Sequence, residues 1–542
     1  MSNATGLYAS CLLLSLGVPL HAQTVITIPP DPVPTTVSSN TQINLLAGGT
    51  LPNDFQIGSD DGSLSDIELN LMGGAIGRRL VIQDGASLNV LSGMTEPGIF
   101  AKGGELNVSG GFIQGRVDVA EGSVVTITGG RVVPTSFGGL QLFDGEVNLE
   151  GGEISGQLTI AQGDGVFNYK GGRIGINAYF YGGKFNVFGG EFLLNGMPFE
   201  FTGDSMQFDI ATGNTLSGTL LDGTTFALSA LPIYPSEQIA DGIVVLHKAT
   251  IPSIGGLVVD SRFDPIPAGL RDGQELTLYS GSQLPDFYTL NPGSTLNVSG
   301  GNAGTGLEAV DATVNIHDGA IGSVFAAMSG SLVNVSGGEI AELYLASRSV
   351  AEFTGGIVTE KLVVSSGSQA RLRNGTIHSL LLNSDSEATI VNGIVNAPAT
   401  VLDGSVLTIE GGQINSSLFA HRGGTLNLKG GYTGGLLGID AESFVNFVGT
   451  EFYLDGSRIE DLVPGESYVI SDRGIVLSGV LEDGTEFQLL LGGTGREGYD
   501  IKGEIAVALT VVPEPSGLVG AMLLLGLGSC WRRCGACGWK SS

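Results

Sequence analysis

The chain has 542 residues, of which 88 are glycine, about one in six against a usual share of about 7%. Proline is ordinary at 20 and no Gly-X-Y period runs through the chain, which excludes collagen, while 42% hydrophobic residues exclude a disordered chain. The net charge of −30 repels phosphate backbones, so nucleic acid is not an expected partner.

Leu7 to Leu20 form an apolar run of about fourteen residues, the length of a signal-peptide core and short for a membrane span. Ala22 supplies the small residue before a predicted cut at Gln23, so secretory signal peptidase is an expected partner. No Lys or Arg precedes the run. Residues 1–22 are therefore predicted as a signal helix. Residues 23–40, rich in Pro, Thr and Ser, are predicted as a flexible N-terminus.

A repeated phrase then begins. A short apolar-polar-apolar strand leads into Gly-Gly and a second short strand. The pairs start at Gly110, Gly129, Gly151, Gly171 and Gly189, spaced by 19, 22, 20 and 18 residues. A second run holds Gly300, Gly337, Gly355, Gly411 and Gly430, with Asp318-Gly319, Asn374-Gly375 and Asn392-Gly393 between them. A period near twenty marks a solenoid. Leucine-rich spacing and helical segments are absent, so the expected fold is all-β, a parallel β-helix with glycine corners. Asparagine recurs between two apolar residues, as in Leu106-Asn107-Val108, Phe185-Asn186-Val187 and Val314-Asn315-Ile316. Alternation along a strand points the apolar pair inward and Asn outward, where successive amides stack as a ladder.

The whole unit is duplicated. Leu216-Ser217-Gly218 through Phe226 matches Leu477-Ser478-Gly479 through Phe487, an offset of 261 positions. Leu51-Pro52 matches Leu284-Pro285, an offset of 233, so the second copy carries about one extra rung. The expected domains are a first solenoid unit with its cap at 41–232, a linker at 233–272, and a second unit with its cap at 273–510. Atypical terminal repeats cover core and strand edges that an open end would expose.

The C-terminal segment 511–542 carries Val512-Pro513-Glu514-Pro515-Ser516, an apolar stretch from Gly517 to Gly528, and Arg532-Arg533. Two prolines in three residues hold the start extended, the apolar stretch is predicted to enter a bilayer as a helix, and the Arg pair stops transfer. This order resembles the PEP-CTERM sorting signal over about the last thirty residues. The resemblance implies processing by an exosortase at or near Pro513-Glu514-Pro515, membrane tethering before processing, and display on the cell surface or in an exopolysaccharide matrix.

Cys11, Cys530, Cys534 and Cys537 all lie in the terminal segments, so no disulfide or thiolate metal site is expected in the body. His21, His247, His317, His378 and His421 are scattered, and acidic residues fall singly beside Gly as turn residues, as in Asp144-Gly145 and Asp403-Gly404. No catalytic residue, metal ligand or cofactor is assigned. The expected function is a non-catalytic structural or adhesive surface protein. One alternative is a β-helical polysaccharide lyase or hydrolase, marked by stacked carboxylates beside an Arg. The other is a carbohydrate-binding surface, for which Tyr179, Phe180 and Tyr181 are the candidate aromatics and extracellular polysaccharide the candidate partner.

Overall fold

A computed structural model describes residues 23 to 509 apart from short stretches, the longest being 134–138, 230–242, 252–257 and 493–500. The predicted signal and tail helices, Ala22 and the segment 511–542 lie outside the described residues. Within them the chain is all-β, without a helix, and coils as a parallel β-solenoid. Two compact units divide it. The first runs to Val259 and takes in Pro265–Gln274 and Pro285–Ser294. The second holds Asp260–Asp264, Glu275–Leu284 and everything from Thr295 onward.

In the first unit, each coil contributes strands to stacked parallel columns. One column passes through Thr41–Leu46, Ile67–Ile76, Ala86–Thr95, Glu105–Val108, Ser123–Ile127, Gly145–Ile154, Val166–Ile174 and Lys184–Leu194. A second column runs from Gln56–Ile57 through Leu80–Gln83 to Ala178–Phe180. Alternation puts one face of every strand inward, so Leu69, Leu88, Leu106, Val125, Val147 and Phe167 stack in register, all at 0 or 1% exposure. Burying each such side chain contributes about 1.5–3 kcal/mol. That continuous core, rather than any single coil, holds the stack together.

Several strands predicted as short pairs run on through the Gly-Gly corner as single strands of nine to eleven residues. Gly145–Ile154 is one, with register shifts at the glycines. At Gly152 φ is +71°, and a Cβ placed there stands 2.7 Å from the carbonyl carbon of Gly129 one coil below. Both the left-handed turn and the close approach exclude a side chain.

Thr24–Ile28 corrects the flexible reading of 23–40. It pairs in parallel with Thr41–Leu46, from Thr24↔Thr41 to Ile28↔Leu45, and forms an additional first rung. Ile28 is buried, so the apolar alternation Val25-Thr27 against Ile26-Ile28 wins over the proline-rich composition that follows. Ile243–Lys248, inside the predicted linker, is likewise a strand and runs parallel to Lys184–Leu194.

Each unit closes with the same antiparallel arrangement. In the first, Lys184–Leu194 continues past its parallel part to pair antiparallel with Thr215–Leu220, which forms a hairpin with Thr225–Ser229. Ser205–Phe208 pairs antiparallel with Ile243–Lys248. In the second, Phe444–Leu454, Ile475–Leu481, Glu486–Leu491, Ser467–Ile470 and Glu504–Leu509 take the same places. A carboxylate fastens each hairpin turn to the stack. Asp222 accepts from the backbone N–H of Gly172 and of Thr224, both at 2.8 Å. Asp483 accepts from Gly431 N–H at 2.7 Å and Thr485 N–H at 2.8 Å. Partial burial works against the Asp483 charge, but these donors outweigh it and hold the carboxyl below its ordinary range.

Candidate functional site

The outward column of the first unit is an asparagine ladder. Asn70 Nδ2 donates to Asn44 Oδ1 at 3.0 Å, Asn89 to Asn70 at 2.9 Å and Asn107 to Asn89 at 3.0 Å. Thr126 interrupts it in register, and it resumes as Asn168 to Asn148 at 3.1 Å and Asn186 to Asn168 at 2.8 Å. The second unit repeats it from Asn334 to Asn315 to Asn297, at 2.9 and 2.8 Å. Glu352, Arg371, Thr389 and Thr408 then occupy the same register. Glu352 pairs with Arg373 at 3.2 Å. Asn70, Asn148 and Asn168 are buried within the ladder, so it chiefly stabilises the stack, while its other asparagines are partly exposed.

A serine column of the second unit escaped the sequence reading. Ser331, Ser349, Ser368, Ser386 and Ser405 are all at 0% exposure, as is Ser123 at a comparable turn of the first unit. Each follows a residue with positive φ: Gly330, Arg348, Gly367, Asp385, Gly404 and Gly122 respectively. Ser331 Oγ donates to Met328 O at 2.7 Å, and Ser349 Oγ to Ala346 O at 2.8 Å, closing the turn. The backbone N–H of Ser349 donates to Ser368 Oγ at 3.1 Å, and that of Ser386 to Ser405 Oγ at 3.1 Å, linking successive coils. The sequence signal is a serine directly after a turn residue, one coil apart.

The carboxylate-and-arginine pattern of a β-helical enzyme has one partial counterpart. Arg131 and Glu153 are register partners, as are Glu153 and Arg173. Arg131 Nη2 lies 2.7 Å from Glu153 Oε1 and 2.8 Å from Asp286 Oδ2, and Ser155 Oγ bonds the same Glu153 oxygen. Arg173 Nη2 donates to Ala268 O at 2.8 Å, with its guanidinium 5.8 Å from the Tyr288 ring. Tyr288 is fully buried, which raises its phenol above the ordinary range. Both carboxylates here are committed to Arg131, which suits a fastener holding the Pro285–Ser294 segment in place.

The histidines take separate places. His421 Nδ1 lies 2.8 Å from Asp440 Oδ2. His247 stacks on Phe188 with centroids 4.4 Å apart, and burial lowers its pKa. His317 Nδ1 meets Ser336 Oγ at 2.9 Å. Among the described residues no group of three or more His, Cys, Asp and Glu is placed to hold a metal ion. Of the candidate aromatics, Phe180 is buried in the core, while the Tyr179 and Tyr181 rings stack outside it, 6.1 Å apart and 2° from parallel.

A cleft of about 400 Å³ lies beside the closing hairpin of the second unit. Leu418, Leu437, Phe447, Leu481, Phe487 and Leu489 line it. Tyr432, Leu436 and Leu490 are 58%, 40% and 56% exposed around it. Phe487, Leu489 and Leu491 on one face of a strand, with Leu490 added to the otherwise polar face, are its sequence signal.

Val512, Pro513, Glu514, Pro515, Ser516, Arg532 and Arg533 lie outside the described residues. Gln23 is exposed and immediately precedes Thr24–Ile28. No protein-family model matches this chain, and no curated protein sequence matches it.

Proposed function

We propose that this chain is an exported, non-catalytic structural or adhesive protein, built by tandem duplication of one capped solenoid module. Signal peptidase acts at Ala22-Gln23. The C-terminal signal tethers the chain to the membrane until an exosortase processes it near Pro513-Glu514-Pro515 and leaves it on the cell surface or in the extracellular matrix. The carrying observation is the parallel stack itself, with runs of three or four mutually bonded asparagines in each unit. Such a stack yields an extended, regular polar surface from few residue types. The shared cap topology and the 261-position offset support the duplication.

Extracellular polysaccharide is the matrix partner this reading favours, through the outward Tyr179 and Tyr181 rings and the amide ladder. A glycan-array and turnover screen separates a binder from a β-helical enzyme.

The test of sorting is intact-mass analysis of the exported protein with and without the exosortase. The expected result is a C-terminus near Pro513 only when the exosortase is present. A mass that still includes Ser542 in both cases contradicts the sorting role.

A further inference from the structure

The two closing hairpins share a topology and differ in what lies on them. In the first unit Thr215–Leu220 is buried along its whole length and Thr225–Ser229 along most of it. The segments Pro265–Gln274 and Pro285–Ser294 of that unit cover them. Thr225 Oγ1 donates to Thr289 O at 2.6 Å, and Asn291 Nδ2 donates to Gly218 O at 2.9 Å. Leu270, Tyr288 and Leu290 are fully buried there, with Tyr288 beside Arg173.

In the second unit the matching face is open among the described residues. At the 261-position offset Thr225 becomes Glu486, which is exposed, and Ser229 becomes Leu490, 56% exposed. The fastened glycines Gly172 and Gly431 set the offset for the neighbouring strand, so Arg173 corresponds to Tyr432, 58% exposed. The apolar cleft opens between these strands. Exposed apolar area of this kind, on a fold that covers the same face elsewhere, marks an interaction surface.

The chain carries one more copy of the covering segment. Residues 37–57 match 270–290 at the 233-position offset, with Leu51-Pro52 on Leu284-Pro285, Phe55 on Tyr288 and Ile57 on Leu290. The backbone agrees: φ is +60° at Asn40 and +71° at Gly273, +82° at Gly48 and +87° at Gly281, and +60° at Asp54 and +53° at Phe287. In the first unit this copy lies at the start of the stack beside the first rung Thr24–Ile28, with Gln56 and the Pro52-Asn53-Asp54 turn exposed.

We propose that the segment 37–57 of one copy seats on the C-terminal cap of a second copy, as residues 270–274 and 285–290 seat on the first cap. The proposal rests on the duplication reading and is independent of the sorting one. Phe55 then lies beside Tyr432, where Tyr288 lies beside Arg173, and Gln56 faces Glu486, where Thr289 faces Thr225. Where Asp286 meets Arg131 in the first unit, the matching positions are the uncharged Asn53 and Ile394, so no like charges oppose each other at that point. The two surfaces are different, so the contact is heterologous and each added copy presents a fresh cap. The product is a head-to-tail filament of solenoids.

The test places a photo-crosslinking residue on the open face of the full chain, as Tyr432→benzoylphenylalanine. Irradiation is expected to give a ladder of multimers, with the adduct on the peptide of another copy that contains Phe55. An adduct on residues 510–542 of the same molecule, or no adduct to a second copy, overturns the proposal. A mixing experiment reads the same contact by sedimentation. Leu490→Glu blocks the cap and Gln56→Asp, facing Glu486, blocks the opening segment. Each variant alone is expected to sediment as a monomer, and a 1:1 mixture to stop at a dimer. Variants that assemble like the wild type overturn the head-to-tail contact, as does a wild type that stays monomeric at every concentration.

Discussion

Replacing Gly152 with alanine is expected to destabilise the stack by about 3–4 kcal/mol, while the same change at Gly122 costs only about 1–2 kcal/mol. The two positions have nearly the same backbone, φ +71° and +75°. Any L-residue there carries the left-handed penalty. They differ in space. A Cβ at Gly122 meets nothing within 4 Å, whereas one at Gly152 stands 2.7 Å from the backbone of Gly129. The coil cannot shift away cheaply, because Glu153 N–H is bonded to Gly130 O at 3.0 Å beside it. The extra cost at Gly152 is therefore that of prising two coils apart. Urea unfolding measures the difference. Hydrogen exchange places it, since faster exchange is expected in the coils adjoining Gly152 and little change far along the axis. Equal costs at the two positions contradict close stacking at the glycine corner.

Phe185→Ala is expected to cost about 3–5 kcal/mol. The ring is 2% exposed, between the strands Val166–Ile174 and Ile243–Lys248 that flank its own in parallel. Its centroid lies 5.3 Å from Phe167, nearly parallel to it, and 4.6 Å from Phe180. Tyr169 adds a tilted contact at 6.1 Å. Truncation leaves a cavity bounded by rings that cannot close around it. Phe185→Leu keeps most of the volume and is expected to cost less than about 1.5 kcal/mol. Because Phe185 shares its strand with the closing hairpin's partner residues, amides of Thr215–Leu220 are expected to lose protection first. The check is the urea midpoint of each variant with residue-level exchange. An alanine variant as stable as the leucine variant contradicts the aromatic packing at this end.

The parallel coil was legible because its signals repeat. One glycine corner says little, but thirteen at a spacing near twenty, counting Asp318-Gly319, Asn374-Gly375 and Asn392-Gly393 with the Gly-Gly pairs, fix a circumference, and Asn between apolar neighbours fixes which face is inward. Segments without the glycine corner were harder to read. Thr24–Ile28 precedes Pro29-Pro30, and the composition of that stretch masks a five-residue alternation. Ile243–Lys248 is apolar along most of its length and sits among prolines, so nothing in the sequence tells it from a linker until the cap gives it two partners. The buried serine column was hidden because serine after a turn residue is ordinary turn usage. Its burial follows from the stacking, not from local preference. The cleft of the second cap reflects a covering segment that lies on one hairpin and, among the described residues, not on the other, a difference between distant parts of the chain that no local pattern carries.

Spin-label distances along one column of the second unit test the central claim of stacked parallel coils most directly. Leu332 and Glu387 are three coils apart in register, through Val350 and Gln369. Leu332 and Glu504 are seven apart, continuing through Val406, Thr425 and Phe444. With Cys11, Cys530, Cys534 and Cys537 replaced by serine, labels at each pair are read by double electron–electron resonance. A rise of about 4.8 Å per coil predicts separations of roughly 14 Å and 34 Å. Separations that fail to grow with the number of coils, as in a sheet of antiparallel hairpins, contradict the stack.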